Sequence, residues 1–314
     1  MGFPDFYVIG APKAGSTALH EALARHPDLY LSPVKEPKFF LCDGPPTGQR
    51  GPGDAHSAQE WVWRPADYER LFAGAPPGSL KGESTPFYLW DRDAQRRIAA
   101  ATPDARLIAI VRDPVDRAYS NWTHLWCDGL EPEADFLTAC DLEDRRAAAG
   151  WAPFWRYQDL GRYGGQLAHL LTLFPRDRVH VLRYRELVGE PGPALDGICR
   201  FLGVREGLVA TVPSSNVSTW VEPTPVNRVL QRGVRLGARL GAHAPPRVWR
   251  AASGPLLDVL RRGDAHRPAL DPAARRVLVD RFREDIGLLS EVVGVSYDDW
   301  LSAVGRGTYS TRSS

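Results

Sequence analysis

A chain of 314 residues with 43% hydrophobic and 25% charged residues has the composition of an ordinary globular protein, long enough for one large domain or two small ones. Its net charge of +1 provides no global field for a nucleic-acid partner, and no apolar run reaches the length of a membrane span. Cys42, Cys127, Cys140 and Cys199 show no CxxC or Cys/His spacing, which argues against a disulfide framework or zinc site and for reduced thiols in a cytoplasm.

The chain opens MGFPDFYVIG, passing into a strand without a charged-then-apolar leader, so an intracellular location is expected. Phe6–Gly10 reads as a buried strand, and Ser16–Arg25 as a helix with Ala18, Leu19, Ala22 and Leu23 on one side. Proline and glycine crowd residues 44–53, which marks the segment of the first half expected to be mobile. Leu80–Glu83 reads as a second strand and Arg106–Arg112 as the clearest one. Asp113-Pro114 then starts a helix, with Asp as cap and Pro in the first turn. Arg178–Arg183 is a further strand, Gly192–Leu202 a helix, and Pro272–Val293 a long amphipathic helix. Strands alternating with helices predict an α/β fold: a P-loop-type parallel sheet with helices on both faces, in a single domain over residues 4–300. Residues 301–314 are rich in Gly, Ser, Thr and Arg and read as a flexible tail.

The loop Gly10-Ala11-Pro12-Lys13-Ala14-Gly15-Ser16-Thr17 leaves a strand and enters a helix, where backbone N–H groups and a helix N-terminus hold phosphate. Both glycines and the final Thr17 of a Walker A loop are present, but Ser16 stands where its lysine belongs and the lysine lies three residues earlier, at Lys13. The best strand ends in Arg112, so no acidic residue there offers itself to magnesium. A displaced lysine without a metal partner suits a phosphosulfate donor better than a nucleoside triphosphate. Arg112 would project from the carboxyl edge of the sheet, and Ser120 lies two turns into the next helix, an arginine and a hydroxyl suited to a phosphate monoester. Lysine is scarce in this chain: only Lys13, Lys35, Lys38 and Lys81 occur among 39 basic residues, so each one merits inspection.

PKAGST followed by a helix, with RDPVDRAYS about a hundred residues later, resembles the sulfotransferases that use 3′-phosphoadenosine 5′-phosphosulfate (PAPS). VLRYREL at Val181–Leu187 and ICRFLGV at Ile198–Val204 fit the same family, and the resemblance spans most of Phe6–Val293. It implies PAPS as donor, 3′-phosphoadenosine 5′-phosphate (PAP) as product and no metal. It places Pro12, Lys13, Ala14, Gly15, Ser16 and Thr17 at the 5′-phosphosulfate, with Lys13 stabilising the bridging oxygen, and Arg112 and Ser120 at the 3′-phosphate. Lys35-Glu36-Pro37-Lys38-Phe39-Phe40 resembles the KE-x-x-FF stretch of heparan-type and related bacterial enzymes, which makes Glu36 the base. His56 is the alternative, since the cytosolic branch uses histidine. Ser84 stands where the heparan enzymes carry a lysine, and Arg267, in the stretch Arg262–Pro268, is placed like a loop that closes over the nucleotide.

For the acceptor, Trp61, Trp63, Trp90, Trp122, Trp126, Trp151 and Trp155 include candidates for a sugar or lipid cleft, although core packing is the default for most. Arg228, Arg232, Arg235 and Arg239 form one helical stripe, with Val229, Leu230, Val234, Leu236 and Leu240 on another face. Such a helix is either a solvated face or a contact for an anionic membrane or acidic acceptor. A glycan, glycolipid or glycosylated natural product is the acceptor class the resemblance favours. The competing readings are a P-loop small-molecule kinase and a non-catalytic nucleotide-binding module.

Overall fold

The computed structural model describes residues 2–47, 50–213, 220–242, 245–260 and 267–302. Phe6–Gly10 (β1) and Arg106–Val111 (β4) are buried along almost their whole length, as strands covered on both faces must be. Leu29–Leu31 (β2), Leu80–Ser84 (β3) and Val179–Arg183 (β5) complete a five-stranded sheet in the order β2-β3-β1-β4-β5, all pairs parallel. The predicted α/β fold with a parallel sheet flanked by helices is therefore the observed one. β2 went unpredicted because three residues are too few to display a strand period.

The helices of the first half are α1 (Ser16–Leu23), α2 (Asp54–Ala58), α3 (Pro65–Arg70) and α4 (Arg92–Ala101). After β4 come α5 (Pro114–Cys127), α6 (Phe136–Asp141), α7 (Glu143–Ala148) and α8 (Tyr163–Leu170). Beyond β5 lie α9 (Tyr184–Gly189), α10 (Pro191–Leu202), α11 (Pro225–Leu240), α12 (Pro246–Leu260) and α13 (Pro272–Val293). The helix expected over Ser16–Arg25 stops at Leu23, and the strand expected to include Arg112 stops at Val111. α5 starts as predicted: Asp113 accepts from the N–H groups of Val115 and Asp116, and Pro114 fills the first turn.

Register decides what surrounds the site. Val8 lies between Ser84 of β3 and Ile108 of β4, so the carboxyl ends of β1, β3 and β4 converge. The connection after β1 runs toward β2 and the one after β4 toward β5, which makes the β1–β4 crevice a topological switch point, the usual ligand position in open α/β sheets.

The 44–53 segment is not uniformly loose. Gly51 and Pro52 are buried, and Asp54 accepts from Gly51 N (2.7 Å), Ala152 N (2.8 Å) and Trp155 Nε1 (2.8 Å). Gly51 and Pro52 thus belong to a packed turn. Trp122, Trp126 and Trp155 are core residues.

Candidate active site

The loop after β1 is shaped by backbone requirements. Lys13 (φ 64°) and Gly15 (φ 93°) both adopt the left-handed region, and α1 begins at the next residue. A side chain at Gly15 would meet the Tyr184 ring at 2.8 Å, and one at Gly10 would meet Leu89 Cβ at 2.6 Å, so both positions require glycine. Gly15 caps α1 without a side-chain hydrogen bond, leaving the first-turn N–H groups available to an anion. Ala14 and Ser16 are buried in this turn and Thr17 is exposed.

Arginines brace the loop from behind. Arg112, the residue after β4, donates to the Lys13 carbonyl at 3.3 Å and lies over the Tyr184 ring at 4.8 Å. Arg117, fully buried on α5, donates to Tyr157 O (2.5 Å), Asn121 Oδ1 (3.1 Å) and, at the edge of hydrogen-bonding range, Pro12 O (3.5 Å). Its Nε has no partner among the described residues. Arg267 reaches the same place from the C-terminal half, with its guanidinium 4.9 Å from the Tyr119 ring centre and Tyr119 Oη donating to Pro268 O. Burial pulls the Lys13 ammonium down to about 8. Asp128 opposes that shift, while Arg112, Arg117 and Arg267 reinforce it. Lys13 shares its loop with Arg112 and Arg117, and Arg267 lies over Tyr119 of the adjoining α5, an arrangement that favours a multiply charged anion. Ser120 is half-buried on α5, one turn beyond Arg117. Residues 261–266, the rest of the predicted closing loop, lie outside the described residues.

A second cluster forms beside the loop. Glu36 N donates to Ser84 O at 3.0 Å, which fixes this segment to the end of β3, and Glu36 pairs with Lys35 at 2.5 Å. Glu36 and Lys38 both have φ of 60°. Lys38 N donates to Thr85 Oγ1 (3.2 Å) and its Nζ to Ser57 Oγ (3.3 Å), with the ammonium 5.6 Å from the Trp61 ring and 5.8 Å from that of Phe87. Burial lowers the Lys38 ammonium, and the nearby Glu36 carboxylate opposes the shift. Phe39 stacks on Tyr68 at 4.1 Å and Phe40 is buried against Tyr7, anchoring the stretch in the core through a single 3-10 turn, Phe39–Leu41.

His20, which the sequence reading overlooked, joins this cluster. Its Nδ1 lies 2.9 Å from Ser84 Oγ, and burial, reinforced by Lys35 and opposed by Glu36, pulls the imidazole down to about 4. Its signal was positional: it lies one turn along α1 from Ser16 and Thr17. Arg117 carried no local signal, since its burial rests on Tyr157, which is 40 residues away in sequence. His56 points elsewhere: Nε2 lies 2.8 Å from Gly241 O and the ring stacks on Trp249. Its geometry is that of a packing residue joining α2 to the end of α11.

A parallel α/β sheet with a glycine-shaped loop at its switch point defines a P-loop-like fold. The family model described as "Sulfotransferase family" matches residues 4–206, and the chain belongs to that family. Among its relatives, human heparan sulfate glucosamine 3-O-sulfotransferase 3B1 is 30% identical over 203 residues, covering 64% of this chain and 46% of that protein. Mouse bifunctional heparan sulfate N-deacetylase/N-sulfotransferase 4 is 26% identical over 219 residues, covering 64% and 22%. The chain therefore spans about half the length, or less, of these curated relatives. A solved sulfotransferase from Alicyclobacillus acidocaldarius superposes with a TM-score of 0.74 at 26% identity, covering 96% of this chain and 99% of that one.

Proposed function

We propose that this protein transfers the sulfuryl group of PAPS to a hydroxyl of a glycan, glycolipid or natural-product acceptor, with PAP as the second product and without a metal. The observation that carries this reading is the meeting of Lys13, Arg112 and Arg117 on one loop, with Arg267 over Tyr119 of the adjoining α5 and Glu36 and Lys38 held beside the loop at the end of β3. The acceptor oxygen bonds to sulfur as the sulfur–oxygen bond to the 5′-phosphate breaks. Glu36 takes the hydroxyl proton, and the electron pair of the broken bond goes to the phosphate oxygen. Lys13, with the first-turn amides and hydroxyls of Ser16 and Thr17, holds the charge that grows there. Arg112, Ser120 and Arg267 bind the 3′-phosphate, and Arg117 keeps the loop in shape from below.

Residues 4–300 act as one catalytic domain in this reading. The relatives named for heparan sulfate support a glycan within that acceptor class. Cys42, Cys140 and Cys199 are free thiols, which supports placement in a reducing compartment such as the cytoplasm.

A kinase would use ATP with magnesium and a Walker lysine, which Ser16 replaces; a mere binding module has no use for Glu36 beside the loop. Calorimetric titration separates the readings: PAP should bind tightly without metal and ATP weakly, and tighter binding of ATP with magnesium would overturn the proposal. In transfer assays Lys13→Ala and Glu36→Gln should each lose at least about 100-fold in rate. Glu36→Gln should keep PAP affinity, whereas Arg112→Ala should weaken it roughly thirtyfold.

A further inference from the structure

The hairpin α11–α12 is built unlike the rest of the surface. Along α11, Gln231, Val234 and Ala238 face inward, and Gln231 Nε2 donates to Trp126 O at 2.9 Å. The apolar face read from the sequence is therefore split. Val234 is buried, while Val226 (68% exposed), Val229 (63%), Leu236 (58%) and Leu240 (80%) face outward. Their spacing of three, seven and four residues lines them along one stripe. Arg228, Arg232 and Arg239 are exposed directly beside that stripe. Over residues 225–260 six arginines are balanced by one carboxylate, Asp258. Arg232, Arg235, Leu236 and Arg239 border a shallow groove of about 200 Å³ against Pro52 and Trp151.

We infer that this hairpin docks on an anionic lipid surface, with the Val/Leu stripe entering the headgroup–acyl boundary and the groove taking a headgroup phosphate. An exposed apolar stripe of this kind calls for a cover. A second copy of the chain suits it poorly, because α11 carries no carboxylate and pairing two such faces would bring arginines against arginines. An anionic bilayer supplies both the apolar phase and the opposite charge. The hairpin is fixed to the site's rim: Gly241 O meets His56 and Ala242 O accepts from Gln59, while Ser57 between them takes the Lys38 ammonium. Docking would then present the Glu36–Lys38 cluster to a lipid-borne hydroxyl, a consequence that rests on the sulfotransferase reading.

Sedimentation of the full chain with phosphatidylglycerol–phosphatidylcholine vesicles, against pure phosphatidylcholine, tests the docking. The protein should pellet with the anionic vesicles only, less so at high salt. Leu236→Asp/Leu240→Asp and Arg232→Glu/Arg239→Glu should each lower partitioning by at least about tenfold, with thermal midpoint and PAP affinity retained. Absence of pelleting, or equal pelleting of both variants, overturns the inference. So does a dimer in gel filtration that Leu236→Asp/Leu240→Asp splits while vesicles leave the protein in the supernatant. If vesicles bind and PAP does not, the docking stands and the sulfotransferase reading fails.

Discussion

Three non-glycine residues among those described take a positive φ: Lys13, Glu36 and Lys38. Each costs of order 1 kcal/mol, and such outliers persist where surrounding structure holds them for function. All three lie in the two clusters of the candidate site, so the strain independently marks the residues singled out by lysine scarcity and by motif. Lys13 also carries a pH signature. Burial sets its ammonium near 8 in the free protein, so above that pH the free protein loses the cation the donor needs. A bound anion favours the charged form and raises its pKa, so PAP binding should take up a proton between about pH 8 and 10. Calorimetry in two buffers of different ionisation enthalpy should show that uptake at pH 9 and little at pH 6.5. PAP affinity should fall as pH rises through 8. A Lys13→Arg variant should lose both effects because arginine stays charged; persistence of the uptake in that variant would assign the proton elsewhere.

At the scale of elements, β3 carries an energetic liability. Its Glu83 is fully buried, accepting from Tyr68 Oη (2.6 Å) and Tyr88 Oη (3.3 Å), and burial pushes its carboxyl up to about 7. A carboxyl raised above its unfolded value binds its proton more tightly in the folded state. That contribution is complete below about 4.5 and is lost as pH rises through 7, an amount of roughly 3 kcal/mol. Denaturant unfolding of the wild type should show the corresponding decline between pH 5 and 8, and Glu83→Gln should flatten it; an unchanged slope would remove Glu83 as its source.

The elements also show what a sequence reveals. β1, β4 and α13 were legible because uninterrupted apolar runs and a capped 3.6-residue period are local signals. The loop was legible because two glycines and a lysine at fixed spacing express backbone geometry directly. Arg117, His20 and the burial of Gly51, Pro52 and Asp54 were not legible. Each depends on a partner distant in sequence: Tyr157 for Arg117, Ser84 for His20, Trp155 for Asp54. Stripe membership on α11 failed for the same reason, since periodicity cannot say which of two apolar faces finds the core.

For the molecule as a whole, the match to the family ends at residue 206, yet the fold does not. α13 buries Leu278, Val279, Phe282, Ile286 and Leu289, and Asp285 accepts from the N–H groups of Gly164 (2.9 Å) and Gly165 (3.0 Å) at the start of α8. Arg275 bonds to Asp116 at 2.7 Å and also pairs with Asp113, the cap of α5. The far end of the chain thereby fixes the helix that carries Arg117 and Ser120, while Arg267 lies over Tyr119 of that same helix. Burying five large apolar side chains contributes roughly 8 to 15 kcal/mol, comparable to the whole stability of a typical domain at about 5 to 15. A chain truncated after residue 206 should therefore be insoluble or lack a cooperative thermal transition, and should not bind PAP. Arg275→Met in the full chain should fold but lose stability by about 3 kcal/mol in urea, because two clustered carboxylates lose their cation. Cooperative melting of the truncated chain at the wild-type midpoint would show that the catalytic unit ends with the family match, and that the C-terminal helices are an addition rather than part of its core.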